Sequence, residues 1–452
     1  MSKTEAEFLK EARPLAENLV DYAKNSTAYG ITDAKVTISA NDNHNISVEN
    51  GGIAKSVSGV SYSVSVTLYA GDRTLSFSRN TMDAQELREA MLKNMQVLSI
   101  VPPNPNKRLL EPEKVFKGSL ADLDLFDKNP PTNEQLFEYA KEVEKAALAE
   151  KGVKGTRSVG VAATTSHTLV LATNGLDYHE SRTRYSASAS VVAEDASGMQ
   201  IDGDGSVARH FNDMAKPAGL GKDSARAALS KLGAELPNTG TMPIVLSQDA
   251  AEDFFSHVYD AIDGTALNRG KTFMKGKLGQ QVMSDSVTII DDPTIPRGLA
   301  SGQVDSAGME SKPITYIEKG VLKAFNATLM ESRQLGIEPT GRENGPTNGI
   351  VKPGAVSPES LMADIKEGIY IEGFNGGQVD VNNGLHSRQA HGHLIKDGKV
   401  TDIAVSGFVV SGNLKDMFMN IAVANDTPPT PSTRHTLAAP TTRINGVTIA
   451  GK

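Results

Sequence analysis

Residues 34–69 read AKVTISANDNHNISVENGGIAKSVSGVSYSVSVTLY. Within them Val64, Val66 and Leu68 alternate with serine and threonine, and this period of two predicts a strand with one buried and one wet face. The dipeptide Asn50-Gly51 favours the tight turn that joins two such strands. The stretch therefore predicts part of a sheet whose second face is exposed to water.

The order of elements around this stretch occurs twice along the chain. Apolar residues at helical spacing predict an opening helix over Thr4–Asn25, in which Pro14 should produce a kink or a restart. A second helix is predicted over Asn133–Glu150, and two strands that follow it are joined at Asn174-Gly175. We infer a duplicated architecture from this repeated order.

Breaks in the pattern divide the 452 residues into three predicted domains. A first α+β unit covers residues 1–105 and ends at a proline-rich break, a second α+β unit covers 106–236, and the last domain covers 237–452. The last domain opens with the apolar strand 242–246 and continues mainly as short strands separated by glycine, asparagine and proline. The predicted fold class is α+β, with duplicated helix/strand N-terminal units followed by a β-rich C-terminal domain.

The composition excludes several classes of protein. Apolar residues make up 39% and charged residues 22% of the chain, as in soluble globular proteins. The 54 acidic residues outnumber the 46 basic ones, so there is no electrostatic footprint for a nucleic acid. Cysteine is absent, which excludes disulfides and thiolate chemistry. Since Met1–Leu15 lacks a signal-peptide core and no segment approaches about 20 apolar residues, we expect a cytoplasmic protein without membrane contact.

The most informative predicted helix runs from Ser247, its N-cap, to about Ile262. A core-facing stripe of apolar residues follows one side of this helix: Ala251, Phe254, Phe255, Val258 and Ile262. On another flank lie Asp253, His257 and Asp260, where an imidazole and two carboxylates could bind a metal ion or transfer a proton. A solvated polar face is the simpler interpretation of these three residues.

Two further patterns carry weaker signals. His391-Gly392-His393 follows His386 in an extended stretch, so the two imidazoles point to one side and could clip a metal ion or be structural. Asp202-Gly203-Asp204-Gly205 resembles part of a calcium loop but lacks the later bidentate glutamate, so a tight turn is the better interpretation. The signatures G-x-S-x-G, G-x-x-x-x-G-K-[ST] and H-E-x-x-H are absent.

A succession of short phrases marks the C-terminal third: GLAS (298–301), IEKGVL (317–322), PTG (339–341), GGQVD (376–380), SGNLKDM (411–417), ND (425–426) and INGVTIAG (444–451). In this order and spacing they resemble the TldD/TldE (PmbA) peptidase family, and the match is looser before about residue 242. The resemblance implies a cytoplasmic heterodimer that encloses a cavity and degrades unfolded peptides or removes leader peptides. Members were also labelled modulators of DNA gyrase.

In this family the TldD-type subunit carries H-E-x-x-x-H on the helix after the first strand of the last domain, where the histidines and a C-terminal cysteine hold zinc. The corresponding positions here are Ser256, His257 and Ala261, and the chain has no cysteine. The resemblance therefore implies a TldE-type subunit that has no catalytic residue or metal of its own and is not catalytic alone. Zinc is expected in a TldD-type partner.

Two nearby departures from the TldD-type pattern agree with this interpretation. Ser306-Ala307-Gly308 stands where an acidic residue and glycine are expected, and Ala424 replaces a glycine. A TldE-type subunit would complete the chamber and its peptide-binding surface. The resemblance assigns the following positions to that surface: Ser256, His257, Asp260, Gly376, Gly377, Gln378, Asp380 and Asn413. The two adjacent glycines either let a peptide backbone approach an exposed strand or make a turn.

Two other functions stay open at this point. The chain could be a self-sufficient peptidase with an atypical site at His257 and Asp260, or at His391 and His393. It could also be a homodimeric peptide-binding or regulatory protein, whose partner is a second copy of itself.

Overall fold

The computed structural model describes residues 4–431 and 436–452. Residues 1–3, which begin the charged N-terminal stretch, and 432–435 lie outside the described residues. The N-terminal half of the chain contains these helices and strands: α1 (Glu5–Lys24), β1 (Asp33–Glu49), β2 (Gly52–Ala70), β3 (Arg73–Arg79), α2 (Ala84–Leu98), α3 (Asn133–Leu148), β4 (Val153–Ala172), β5 (Asp177–Asp195), β6 (Gly198–Ala208) and α4 (Pro217–Leu229).

The first helix confirms the predicted N-terminal element. Thr4 Oγ1 accepts a hydrogen bond from the Glu7 N–H, and the Glu7 carboxylate accepts one from the Thr4 N–H, which forms a capping box. The expected restart at Pro14 is wrong, because α1 continues through it. Pro14 and Lys10 are both exposed, so water can reach the Lys10 carbonyl that loses its N–H partner.

The two predicted units share one six-stranded sheet in the order β3-β2-β1-β4-β5-β6. β1 and β4 pair in antiparallel register from Lys35 opposite Ala172 to Val48 opposite Val159. Each half of the sheet has the order helix, three strands, helix, which confirms the duplicated architecture. At the β1–β2 hairpin, Asn50-Gly51 has φ angles of 51° and 75°, as the predicted turn requires.

The strands are longer than their apolar patterns predict. The apolar alternation in β1 is interrupted at residues 41–45, yet the strand runs unbroken through this asparagine-rich stretch. The backbone N–H and C=O groups of this stretch are paired with β2 on one side and β4 on the other. The side chain of Asn41 also takes part, because its Oδ1 accepts a hydrogen bond from the Ser166 hydroxyl at 2.7 Å. Neighbouring strands therefore override the weak strand preference of asparagine.

The Asp-Gly repeat at 202–205 lies inside β6, so the predicted tight turn is wrong. Gly203 pairs with Ser190 of β5, and a Cβ at Gly203 would lie 1.8 Å from the Ala189 carbonyl oxygen. The glycine serves the close approach of two strands rather than a change of direction.

All four helices of the N-terminal half cover one face of the sheet. Helices α1 and α2 pack with β1, β2 and the end of β4, and α3 and α4 pack farther along β1 and β4 and on β5. Buried Glu144 of α3 accepts hydrogen bonds from the backbone N–H groups of Asn50 and Gly51 at 3.1 and 2.7 Å. A helix of the second unit thus holds the hairpin of the first.

The last part of the chain contains the remaining elements: β7 (Gly240–Leu246), α5 (Gln248–Ala261), α6 (Gly264–Asn268), β8 (Ile289–Asp292), β9 (Ile314–Glu318), β10 (Val321–Leu322), α7 (Leu329–Leu335), β11 (Asn348–Val351), α8 (Pro358–Met362), β12 (Glu367–Asp380), β13 (Leu385–Lys396), β14 (Lys399–Asn413), α9 (Leu414–Met419), β15 (Ile421–Val423), β16 (Leu437–Ala438) and β17 (Thr442–Ala450). This strand-rich region confirms the predicted fold class.

Two sheets enclose α5 in the last part of the chain. Strands β14-β13-β12-β7-β17 close into a barrel through the pairing of β14 with β17, and β15 extends it. A second sheet has the order β10-β9-β8-β11-β16. The predicted apolar stripe of α5 is buried in a core formed by both sheets, with Phe254 and Phe255 fully buried. Packing therefore fixes which flank of α5 remains polar.

Hydrogen bonds from a side chain of the last part to backbone carbonyls join it to the preceding segment. Arg333 of α7 donates hydrogen bonds to the carbonyl oxygens of Arg108 and Leu109, both at 2.8 Å. These acceptors lie in the irregular segment 99–132, which links α2 to α3 and contains the predicted boundary between residues 105 and 106. The three-domain division stays a prediction. No helix in the described ranges is long and apolar enough to cross a membrane.

A substitution in the ion pair between Arg342 and Asp291 tests how much the core of the last part depends on this pair. Both side chains are fully buried, and Arg342 Nε donates to Asp291 Oδ1 at 2.7 Å. We expect Arg342→Leu to lower the free energy of unfolding by about 3–5 kcal/mol, because it leaves a buried carboxylate without its cation. Urea denaturation measures the change.

A matched control for that substitution is Arg226→Leu. Arg226 pairs with Asp223 at 3.0 Å, but both side chains are largely exposed, so the expected cost is at most about 1 kcal/mol. Equal costs at the two positions would contradict a special contribution of the buried pair.

Candidate functional site

The helix position that the family resemblance singles out is occupied by residues that engage their own chain. Ser256 Oγ donates to the Asp253 carbonyl oxygen at 2.6 Å, and the Ala261 methyl is fully buried. His257 is 9% exposed, and its Nδ1 lies 3.3 Å from Oδ2 of exposed Asp260. Only one imidazole is available at the three motif positions.

The predicted polar flank of α5 divides into two groups. His257 and Asp260 form one, while Asp253 accepts two hydrogen bonds from Arg388 Nη1, both at 2.8 Å. Arg388 also lies over the Phe374 ring, 5.2 Å from its centroid. Asp253 therefore anchors α5 to β13 and does not join a site with His257.

His386 lies next to His257, which sequence spacing did not reveal. It is fully buried on β13, and the ring centroids of the two histidines are 6.2 Å apart. Phe254 and Phe374 pack against the His386 ring. Burial, followed by the neighbouring His257, lowers the pKa of His386 to about 4.

The adjacent glycines form a β-bulge, so the turn interpretation is wrong. Phe374 pairs with Ala390 and Gly377 with Arg388, which leaves residues 375 and 376 as an outward step in β12. Gly377 has a φ of 124°, and a Cβ there would lie 2.4 Å from the Ser387 carbonyl oxygen. A Cβ at Gly376 would meet no atom within 4 Å. The bulge presents exposed strand backbone.

The other predicted surface residues lie beyond the bulge. Gln378 is exposed on β12. Asp380 accepts the Asn382 N–H at 2.9 Å in the β12–β13 turn. Asn413 caps α9 by accepting the Lys415 N–H at 3.0 Å, and its amide donates to the Asn383 carbonyl oxygen. Asp380 and Asn413 thus shape a turn and a helix end.

His391 and His393 line a different place, a cleft of about 800 Å³ between β6 and α4 on one side and the barrel on the other. The predicted common orientation of the pair is confirmed, and His386 is not part of the cleft. Its carboxylates come from distant parts of the sequence: Asp202, Asp204, Asp223, Asp249, Glu372 and Asp426. Arg226 lies among these carboxylates.

Within the cleft His393 and Glu372 form an ion pair, with Nδ1 and Oε1 3.3 Å apart. This contact raises the pKa of His393 and lowers the pKa of Glu372. Asp402 also raises the pKa of His393, and His391 and Lys231 also lower that of Glu372. The pair therefore favours its charged state.

Asp426 fixes the start of α5 at the edge of this cleft. Its carboxylate accepts the Thr441 N–H at 2.9 Å, the Thr441 hydroxyl at 2.7 Å and the Gln248 amide at 3.1 Å. Asp249 and His257 are separated by about 12 Å along the helix axis. The acidic cleft and the His257–His386 pair are therefore at opposite ends of α5.

A catalytic zinc site does not fit the described residues. Such a site takes three protein ligands and leaves one position open for water. In ranges 4–431 and 436–452, no three histidine, aspartate or glutamate side chains come together in a metal-binding group. The serine hydroxyl and alanine methyl at two of the three motif positions cannot replace the missing imidazoles.

The fold defines an α+β protein with two helix–strand units and a strand-rich last part. Profiles of one family match the chain in order: PmbA/TldA metallopeptidase domain 1 over residues 34–95, the central domain over 126–232 and the C-terminal domain over 239–451. The crystal structure of TldE from Thermococcus kodakarensis has a TM-score of 0.83 at 19% identity, and the match covers 97% of this chain and 100% of that chain.

Two curated proteins extend the match in sequence. Metalloprotease PmbA of Escherichia coli O157:H7 is 27% identical over 416 residues, 92% of each chain. The metalloprotease PmbA homolog of Buchnera aphidicola subsp. Baizongia pistaciae is 30% identical over 354 residues, 77% of this chain and 76% of that protein. The chain belongs to the PmbA/TldD metallopeptidase family, which confirms the resemblance.

The ion pair in the cleft makes stability depend on pH. The raised pKa of His393 gives stability that is present below about pH 6.5 and is lost as pH rises through that pKa. The lowered pKa of Glu372 gives stability that is present above about pH 4.5 and is lost as pH falls through that pKa. We expect the loss of Tm caused by Glu372→Gln to be largest between these values.

Differential scanning fluorimetry from pH 3.5 to 9 measures this loss. Glu367→Gln, at the exposed start of the same strand, is the control and should lower Tm little at any pH. A constant difference between wild type and Glu372→Gln across the range would contradict the titrating pair.

The β-bulge predicts that alanine substitutions at the two adjacent glycines differ in their effect on stability. Gly377→Ala should lower the free energy of unfolding by about 1–3 kcal/mol, because a side chain is strained at this φ and collides with Ser387. Gly376→Ala should change it by less than about 0.5 kcal/mol, since the space is open. Urea denaturation of both variants compares them, and equal effects would exclude the bulge as the cause.

Proposed function

We propose that this chain is the noncatalytic TldE-type subunit of a TldD/TldE-type zinc peptidase. In this role it completes a chamber with a TldD-type catalytic subunit, and the complex degrades unfolded peptides or removes leader peptides. The observation that carries the proposal is α5, whose apolar stripe is buried in the core while its motif positions hold Ser256, His257 and Ala261.

The catalytic zinc belongs to the partner in this proposal. When bound there, zinc supplies a polarised water for attack on the peptide carbonyl. In this chain the side chains at the corresponding helix positions already have partners. Ser256 donates within its own helix, and His257 contacts Asp260. The chain therefore contributes shape and peptide contacts to the reaction.

The bulged part of β12 supports a peptide-binding role. β12 pairs with β7 only at residues 369–371, so the stretch 375–378 has β13 as its single strand partner among the described elements. All four residues of that stretch are exposed. An extended peptide can add to such an edge through main-chain hydrogen bonds, which tolerate many sequences.

Reconstitution tests the proposed function. The chain is purified alone and after co-expression with a TldD-type chain from the same genome, and cleavage of a fluorescein-labelled unfolded polypeptide is measured. We expect cleavage by the complex and none by this chain alone. Replacing the glutamate of the partner's H-E-x-x-x-H motif by glutamine should lower the rate by about 100-fold or more, because it removes the group that activates water.

Two outcomes would overturn the proposal in favour of the other functions. Cleavage by the isolated chain, at a rate unaffected by the partner's substitution, would identify a self-sufficient peptidase. A stable dimer of this chain that binds the peptide and excludes the TldD-type chain would identify a homodimeric binding protein. Light scattering coupled to size-exclusion chromatography determines the composition of each complex.

A further inference from the structure

Three arginines come together where β6 ends beside β5. Arg182 and Arg184 are two residues apart on β5, so their side chains lie on the same face of the sheet. That face is the one without helices, because the next residue, Tyr185, is buried in the core that includes α3. Arg209 directly follows β6, and its Nη1 donates to the Thr183 carbonyl oxygen at 3.0 Å. The three cations therefore gather at one place in a chain whose formal net charge is -8.

Arg209 is a buried cation that is not paired with an anion. It is 6% exposed, and its guanidinium donates to the carbonyl oxygens of Thr183, Gly298 and Leu299. These neutral acceptors satisfy its hydrogen bonds but do not cancel its charge, and buried charges in proteins are usually paired. Burial, followed by the charges of Arg182 and Arg184, lowers the pKa of Arg209 to about 10. The surroundings of Arg209 thus lack negative charge.

Glu180 is the carboxylate that opposes these three cations. Its Oε2 accepts a hydrogen bond from Arg182 Nη2 at 2.6 Å, and both side chains are 25% exposed. Arg184 is exposed and makes no hydrogen bond or ion pair with the residues that the structure describes. One carboxylate beside three guanidinium groups leaves an excess of positive charge, and Arg184 holds its share of that charge at the surface.

The surface around these arginines consists of hydroxyl groups and backbone. On β4, Ser166 lies opposite Arg182 and Thr164 lies opposite Arg184. On the other side is the phrase GLAS (298–301) followed by Gly302, where a Cβ would lie 2.8 Å from Arg182 Nη2. An anion at this place would therefore meet cations and neutral polar groups.

We propose that Arg182 and Arg184 bind a carboxylate group of the peptide that the chain holds. A planar guanidinium group donates two parallel hydrogen bonds to a carboxylate, which favours arginine at such sites. The bound anion offsets the charge of buried Arg209. Every unmodified peptide has a carboxylate at its C-terminus, and aspartate and glutamate side chains carry the same group. The inference rests on the proposed function, because it names a chemical group of that peptide.

Fluorescence anisotropy tests the site with the full chain, alone and in complex with a TldD-type chain whose motif glutamate is replaced by glutamine. Three peptides share one unfolded sequence without acidic residues and a neutral fluorophore at the N-terminus. The first ends in a free carboxylate, the second in an amide, and the third in an amide with one internal glutamate. We expect the first to bind about 10-fold more tightly than the second, and added salt to reduce this preference.

The third peptide identifies the source of the carboxylate. If it binds as tightly as the first peptide, the site accepts a side-chain carboxylate as well as the C-terminal one. If it binds as weakly as the second peptide, the site is specific for the C-terminus. Both results support the site, provided that the first peptide is preferred to the second.

Substitutions at Arg184 assign the preference to this residue. Arg184→Gln should abolish the preference for the free carboxylate, and Arg184→Lys should retain part of it, because lysine keeps the charge but not the planar fork. The control is Arg157→Gln, at another exposed arginine on β4. This position lies about 20 Å farther along the sheet, so the control should keep the full preference. Near-UV circular dichroism checks the fold of each variant.

Several results would overturn the site. These are equal affinities for the first and second peptides, an unchanged preference in Arg184→Gln, an equal loss in Arg157→Gln, or no binding of any of the three peptides. Cleavage by the complex with its motif glutamate intact is measured separately. Cleavage together with equal affinities refutes the carboxylate site alone, whereas a carboxylate preference without cleavage refutes the proposed function alone.

Discussion

The antiparallel pairing of β1 with β4 is the constraint on which the N-terminal half depends. It joins two helix–strand units into one sheet, and it places Ile38 beside Leu169 and Val48 beside Val159 on the same face. Four helices can then cover a continuous apolar surface. The opposite face carries serine, threonine and asparagine, since side chains alternate between the two faces of a strand. One pairing thus produces both a core and a long polar surface.

Sequence periodicity predicted the local elements better than their connections. The alternation of Val64, Val66 and Leu68 and the turn at Asn50-Gly51 depend on neighbouring residues, so they could be predicted. The continuity of β1 depends on ladders with two other strands, and the strand at 202–205 depends on contact with β5. Such pairings join residues far apart in sequence, and no local pattern records them.

The same distinction applies to the candidate site. Contact between His257 and Asp260 follows from their spacing on one helix and was predictable. Arg388 reaches Asp253 across 135 residues of sequence, and His386 reaches His257 only because β13 passes behind α5. The acidic cleft likewise combines residues from β6, α4 and the barrel. Groups of residues that meet only through tertiary contacts could be identified from the structure but not from the sequence.

Helix α5 carries both core residues and the positions 256, 257 and 261 that the family resemblance singles out. The helix is held by Phe254 and Phe255 in a core formed by both sheets, and its start is fixed by Asp426. Ser256 bonds within its own helix, whereas the small Ala261 methyl is part of this core. Losing the bulky apolar stripe would leave a cavity in the core. The large side chains that hold α5 are therefore not those at positions 256, 257 and 261, so the helix can persist while the chemistry at those positions changes.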